Sequence, residues 1–177
     1  MLGLPGCGVI YKNEYFVPEG INSGWKITGD NIKVASTLCN GREYNVYPVR
    51  INVEAIFIGP IIPIIPLPAS HDEHDLLNHE LELFIYVNED SENSYLKENS
   101  LNILDDNSKP ISIVNFSWRR EESLKKTMYT RYTYKFKLND YKTKILKLVF
   151  KDPNECELDA IELKKISFKD FDFAPNP

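Results

Sequence analysis

Between residues 80 and 151 this chain of 177 residues alternates apolar and polar side chains over run after run, and that period of two most narrows what it can fold into. In RYTYKFKL, Tyr132, Tyr134, Phe136 and Leu138 share one face, while Arg131, Thr133, Lys135 and Lys137 share the other. HELELFIYVN places Leu81, Leu83, Ile85 and Val87 together, with Glu80 and Glu82 opposite, and ILKLVFK does the same with Leu146, Leu148 and Phe150. Successive side chains of a strand point to opposite faces, so each run describes a strand with one buried face and one wet face. NDYKTK lies between two of these runs and predicts a hairpin joining them.

Two further runs change phase midway. ISIVNFSW moves from Ile111 and Ile113 to Val114, Phe116 and Trp118, and IELKKISF moves from Ile161 and Leu163 to Ile166 and Phe168. A slip of one residue turns every side chain over, so each change predicts a β-bulge or a bend between sheets. GVIYKNEYF, GWKIT, NIKVAST and NVYPVRINVEAIFI read as additional strands, the last demoted at its start by Pro48. Helical patterning is thin; HDEHDLLNHELELF and RREESLKKTM are the two stretches that fit a few turns. The expectation is an all-β domain spanning residues 9–177, a two-sheet antiparallel sandwich of Ig-like or jelly-roll type with about seven to nine strands.

A net charge of −5 with dispersed basic residues argues against a nucleic-acid partner. No apolar run reaches the roughly 20 residues of a membrane-spanning helix. The longest uncharged stretch, AIFIGPIIPIIPLPAS, carries four prolines.

Near the N-terminus, Leu4-Pro5-Gly6-Cys7 resembles the lipobox of bacterial lipoproteins, with Leu at −3, Gly at −1 and Cys at the cleavage junction. The resemblance covers about four residues and implies that residues 1–8 are a signal-peptide remnant and lipid-anchor tail, with Cys7 acylated. It implies residence in the bacterial cell envelope. Gly8 after the cysteine, where Asp would retain the protein, implies the outer membrane, facing the periplasm. Membrane attachment would then be through the N-terminal lipid only, and stable with more than one acyl chain. Setting Cys7 aside leaves Cys39 and Cys156 as a disulfide candidate in an oxidising compartment.

IGPIIPIIPLP, which contains the extended proline-rich segment at residues 59–68, has prolines at 60, 63 and 66, the repeat of a polyproline II helix. Ile61, Ile64 and Leu67 form a second edge; Ile62, Ile65 and Pro68 form a third. No edge is polar. The stretch either packs across the sandwich or offers Pro60, Ile61, Ile62, Pro63, Ile64, Ile65 and Pro66 to an envelope protein or a lipid surface. All three histidines, His71, His74 and His79, fall in ASHDEHDLLNHE with acidic neighbours, a metal-binding candidate whose spacing matches no zinc signature.

No nucleophile elbow, phosphate loop or dinucleotide fingerprint occurs. Acid pairs such as Asp105-Asp106 and Asp170 with Asp172 read as solvated surface charge. The expected function is a non-catalytic, lipid-tethered envelope protein that binds or scaffolds another envelope component, needing no cofactor. A carbohydrate-binding jelly-roll module, with Trp25 or Trp118 stacking on sugar rings, and a metal-binding protein built on the histidines are the alternatives.

Overall fold

The structure is a computed structural model that describes residues 8–19, 24–30, 33–58, 80–88, 96–122, 127–151 and 157–173. Its elements in chain order are β1 (Gly8–Glu19), β2 (Lys26–Thr28), β3 (Val34–Cys39), β4 (Arg42–Val46), β5 (Val49–Ile58) and β6 (Leu81–Asn88). These are followed by β7 (Leu101–Leu104), β8 (Pro110–Ile111), β9 (Ile113–Glu122), β10 (Met128–Phe136), β11 (Ile145–Phe150) and β12 (Ile161–Phe173). One 3-10 turn, Glu98–Ser100, is the only helical element among the described residues.

The strands form two six-stranded sheets, ordered β5-β1-β12-β11-β7-β8 and β2-β3-β4-β6-β10-β9. Every pairing is antiparallel. The two sheets pack face to face as an all-β sandwich. The core between them takes the apolar faces that the alternation marks. Leu81, Leu83, Ile85 and Val87 of β6, Tyr132, Tyr134 and Phe136 of β10, and Leu146 and Leu148 of β11 are all buried. Sliding β6 by one residue would expose four aliphatic side chains, each contributing about 1.5–3 kcal/mol when buried, so its register is strongly specified.

Twelve described strands exceed the seven to nine expected, because β7 was not anticipated, ISIVNFSW divides between β8 and β9, and NVYPVRINVEAIFI divides between β4 and β5. The phase change in ISIVNFSW is a bulge: the β9–β10 register shifts where Ile113 and Asn115 face Phe136 and Lys135, leaving Val114 as the extra residue. The phase change in IELKKISF is not. β12 pairs with β1 without interruption from Glu162 to Phe173. Ile161 and Leu163 face the core, while Ile166 and Phe168 face the opposite side, where Phe168 stacks on Tyr15 with centroids 5.5 Å apart. The bulge in this sheet lies instead in β5, where Asn52 and Arg50 face Glu14 and Tyr15 of β1 and Ile51 is the extra residue.

The expected hairpin through NDYKTK is absent. β10 belongs to one sheet and β11 to the other, so these residues carry the chain across the sandwich. Both sheets bury a face in the same core, and alternation is identical whichever sheet a strand joins. RREESLKKTM forms no helix in its described part: Arg119–Glu122 ends β9 and Met128 begins β10. Tyr47 and Pro48 separate β4 from β5 where the chain changes sheets, so Pro48 lies between strands.

Candidate functional site

The outer face of the second sheet carries a concentration of aromatic and acidic side chains. Tyr44 and Val46 of β4, Ile85 and Val87 of β6, and Thr130 and Tyr132 of β10 are buried toward the core. Their sequence neighbours therefore point the other way. The ladder aligns Asn45 with Tyr86, Tyr86 with Arg131, and Arg131 with Arg119. Two residues along, on the same face, Tyr129 lies opposite Glu121.

These strands enclose an open pocket of about 390 Å³, within the range of small-ligand sites. Tyr47, Tyr86 and Tyr129 form its aromatic walls. Glu43, Asn45, Glu121 and Glu122 supply its polar lining. The rings of Tyr47 and Tyr86 stand 5.0 Å apart at 56°, so they make a corner rather than a flat platform. Ser36 Oγ donates to Asn45 Oδ1 at 2.7 Å, which orients the amide and leaves its NH₂ group as a donor.

Partial burial, then the neighbouring acidic groups Tyr86, Tyr129 and Glu43, push the Tyr47 phenol above its ordinary range. It stays a protonated donor at neutral pH. Glu121 is held by Arg119 Nε and, at 3.1 Å, by Arg131 Nη1. Arg131 in turn lies over the Phe84 ring, 5.3 Å from its centroid. Among the described residues, Glu43 and Glu122 have no ion-pair partner. The pocket lining contains carboxylates, phenols and an amide, with no histidine, serine or cysteine to form a nucleophile–base couple.

None of these seven residues stands out from composition or motif. One signal was legible in HELELFIYVN: the wet face that begins Glu80, Glu82 continues Phe84, Tyr86, placing aromatic rings where polar groups belong. The remaining six come from β4, β9, β10 and the turn after β4, and only the sheet order assembles them.

The residues singled out from sequence fall elsewhere. Cys7, the stretch Pro60, Ile61, Ile62, Pro63, Ile64, Ile65 and Pro66, the histidines His71, His74 and His79, and Cys156 lie outside the described residues. Among the described residues no group of three His, Cys, Asp or Glu side chains is placed to hold a metal. Cys39 ends β3, partly buried and packed against the core. Trp25 is buried, donating from Nε1 to the Asp159 carbonyl at 2.8 Å and packing on Phe150 with centroids 5.5 Å apart. Trp118, on β9, is 45% exposed but does not line the pocket.

The pair Asp105-Asp106 is not idle surface charge. Asp105 is buried in the β7–β8 turn, where its Oδ1 accepts from the Asn107 and Lys109 amides, both at 2.9 Å. Asp106 accepts from the Lys144 and Ile145 amides, holding the chain as it enters β11. A turn satisfied by its own acidic side chain looks, in sequence, the same as a solvated one.

No protein-family model, curated protein or solved structure matches this chain.

Proposed function

We propose that this protein is a non-catalytic binding protein of the bacterial cell envelope, lipid-tethered through Cys7 to the outer membrane and facing the periplasm. In this reading the pocket on the outer face of the second sheet is its ligand site. The observation that carries the binding role is that pocket: partly exposed tyrosine rings and carboxylates, two of them without an ion-pair partner among the described residues, gathered from four strands and the turn after β4 around about 390 Å³ of space. Polar and charged groups left on a concave surface bind water unless a ligand replaces it. The tether rests on the Leu4-Pro5-Gly6-Cys7 resemblance. The segment Pro60–Pro66 is the proposed contact for an envelope protein or lipid surface.

An oxidised Cys39–Cys156 bridge belongs to the same proposal, and three hydrogen bonds support it. Thr37 Oγ1 donates to the Gly24 carbonyl at 2.9 Å, and the Gly24 amide donates to Asp159 Oδ2 at 2.8 Å. Trp25 adds its bond to the Asp159 carbonyl. The strand carrying Cys39 is thus held beside Asp159, three residues from Cys156. Cys7 precedes Gly8, which begins β1, whereas Glu19 at the far end of β1 pairs with Glu162, near Asp159. The two ends of β1 are about 36 Å apart. These bonds favour Cys156 over Cys7 as the proposed partner of Cys39.

Mass spectrometry of the mature protein from its native host tests the tether: an acylated Cys7 N-terminus is expected, and an unprocessed chain without acyl mass defeats it. For the pocket, the tyrosine ring resonances of the folded domain are followed by NMR against a library of small polar compounds. Shifts confined to Tyr47, Tyr86 and Tyr129 are expected for a ligand, and a library that moves none of them argues against the site. A carbohydrate ligand is the second reading, favoured by aromatic rings beside carboxylates and an amide. A glycan array with no binder, the domain being folded, removes it.

A further inference from the structure

We propose that the pocket selects an organic ammonium ion, an alkylated cationic head that lodges in the corner between Tyr47 and Tyr86 against Glu43. This rests on reading the pocket as a ligand site and names the chemical class that site takes. Two rings 5.0 Å apart and inclined at 56° offer no single flat platform for a sugar ring to stack on, whereas a compact cation needs only one ring face beside it. A cation over an aromatic face is attracted by the negative face of the ring quadrupole. The third tyrosine, Tyr129, closes the same pocket.

Charge points the same way. No lysine or arginine lines the pocket. Arg119 and Arg131 are engaged with Glu121 on the β9 side. Glu43 has no ion-pair partner among the described residues, and its field reaches the Tyr47 phenol. A neutral polyol would leave this carboxylate's charge uncompensated, whereas an ammonium group neutralises it. The Asn45 NH₂ group, held by Ser36, is positioned to donate to a hydroxyl or carbonyl on the ligand. An amino alcohol carries both features.

Choline is the probe, with neohexyl alcohol as its uncharged isostere and a set of methyl glycosides for comparison. NMR titration of the full chain is expected to shift the Tyr47 and Tyr86 rings with choline, which binds at least about tenfold more tightly than the isostere. Glu43→Gln is expected to weaken choline about tenfold, and Tyr86→Leu to abolish the shifts at Tyr47. Both positions lie outside the core, and an unchanged amide spectrum shows that each variant is folded. Tyr129→Phe, which keeps the ring, is expected to retain binding and serves as a second variant if Tyr86→Leu fails to fold. Equal affinity for choline and its isostere overturns the ammonium proposal. Shifts at the tyrosines with a methyl glycoside but not choline also overturn it, while leaving the pocket as a ligand site. If none of the three moves the tyrosines, the ammonium proposal falls, and the broader library screen decides the pocket.

Discussion

Tyr134 shows how one side chain serves two links of this fold. Its ring is fully buried in the core, and its hydroxyl donates to the Lys97 carbonyl at 3.0 Å, tying β10 to the chain entering β7. Tyr134→Phe keeps the ring and leaves the Lys97 carbonyl its bond from the Ser100 amide, and is expected to cost about 0.5–1.5 kcal/mol, read as a lower urea midpoint at unchanged slope. Burial, and then the neighbouring Tyr132, push the Tyr134 phenol far above its ordinary range. Above about pH 10 the unfolded chain loses this proton while the folded one keeps it, so stability falls as pH rises. The variant is expected to lose less stability across that alkaline range. Asp105 works in the other direction. The Lys109 amide first, then the Asn107 amide, the Asn139 side chain and the Lys109 charge hold its carboxyl below the usual range, against the opposing effect of burial. Its contribution is present above about pH 3.9 and lost as pH falls through the lower folded value. Asp105→Asn is expected to lower the melting temperature at neutral pH and to match the parent once the medium is acid enough to protonate the aspartate, as thermal scans at both pH values would show.

Among the elements, the β3–β4 hairpin is the most local in origin. Asn40 and Gly41 occupy left-handed backbone, with φ of 50° and 75°, between the paired residues Cys39 and Arg42. Two successive left-handed residues make the type I′ turn whose twist suits a tight hairpin, and Asn-Gly is its preferred pair. A Cβ on Gly41 meets nothing within 4 Å, so Gly41→Ala isolates the backbone term. It is expected to destabilise by about 1–2 kcal/mol, measured by denaturant unfolding, without altering the core. This Asn-Gly pair was legible in TLCNGRE, as was the bulge in β9 from the phase of ISIVNFSW. The β10–β11 link was not. Its residues Asp140 and Lys142–Ile145 are held by hydrogen bonds within the turn and to Asp106, which is 38 residues before Lys144. Local pattern holds no record of such a partner.

At the scale of the molecule, the contacts through Gly24, Trp25 and Asp159 join the strands of the second sheet to the chain leading into β12 of the first. On the proposed Cys39–Cys156 pairing, a bridge closing a loop of more than a hundred residues reinforces that junction. Reduction, or Cys39→Ser with Cys156→Ser, is expected to lower stability by up to about 5 kcal/mol, read from urea unfolding with and without reductant. Identical curves would argue that the two thiols are not joined.

The sandwich class follows from the alternation alone, because a period of two leaves each strand one apolar face that only another layer can bury. Which sheet each strand enters, and therefore which outward residues become neighbours, was decided by tertiary packing. Both sheets bury their apolar faces in one core and present the same pattern. The pocket exists because β4, β6, β10 and β9 lie side by side, which brings Glu43 next to Tyr86, Tyr129 and Glu121 across more than seventy residues of chain.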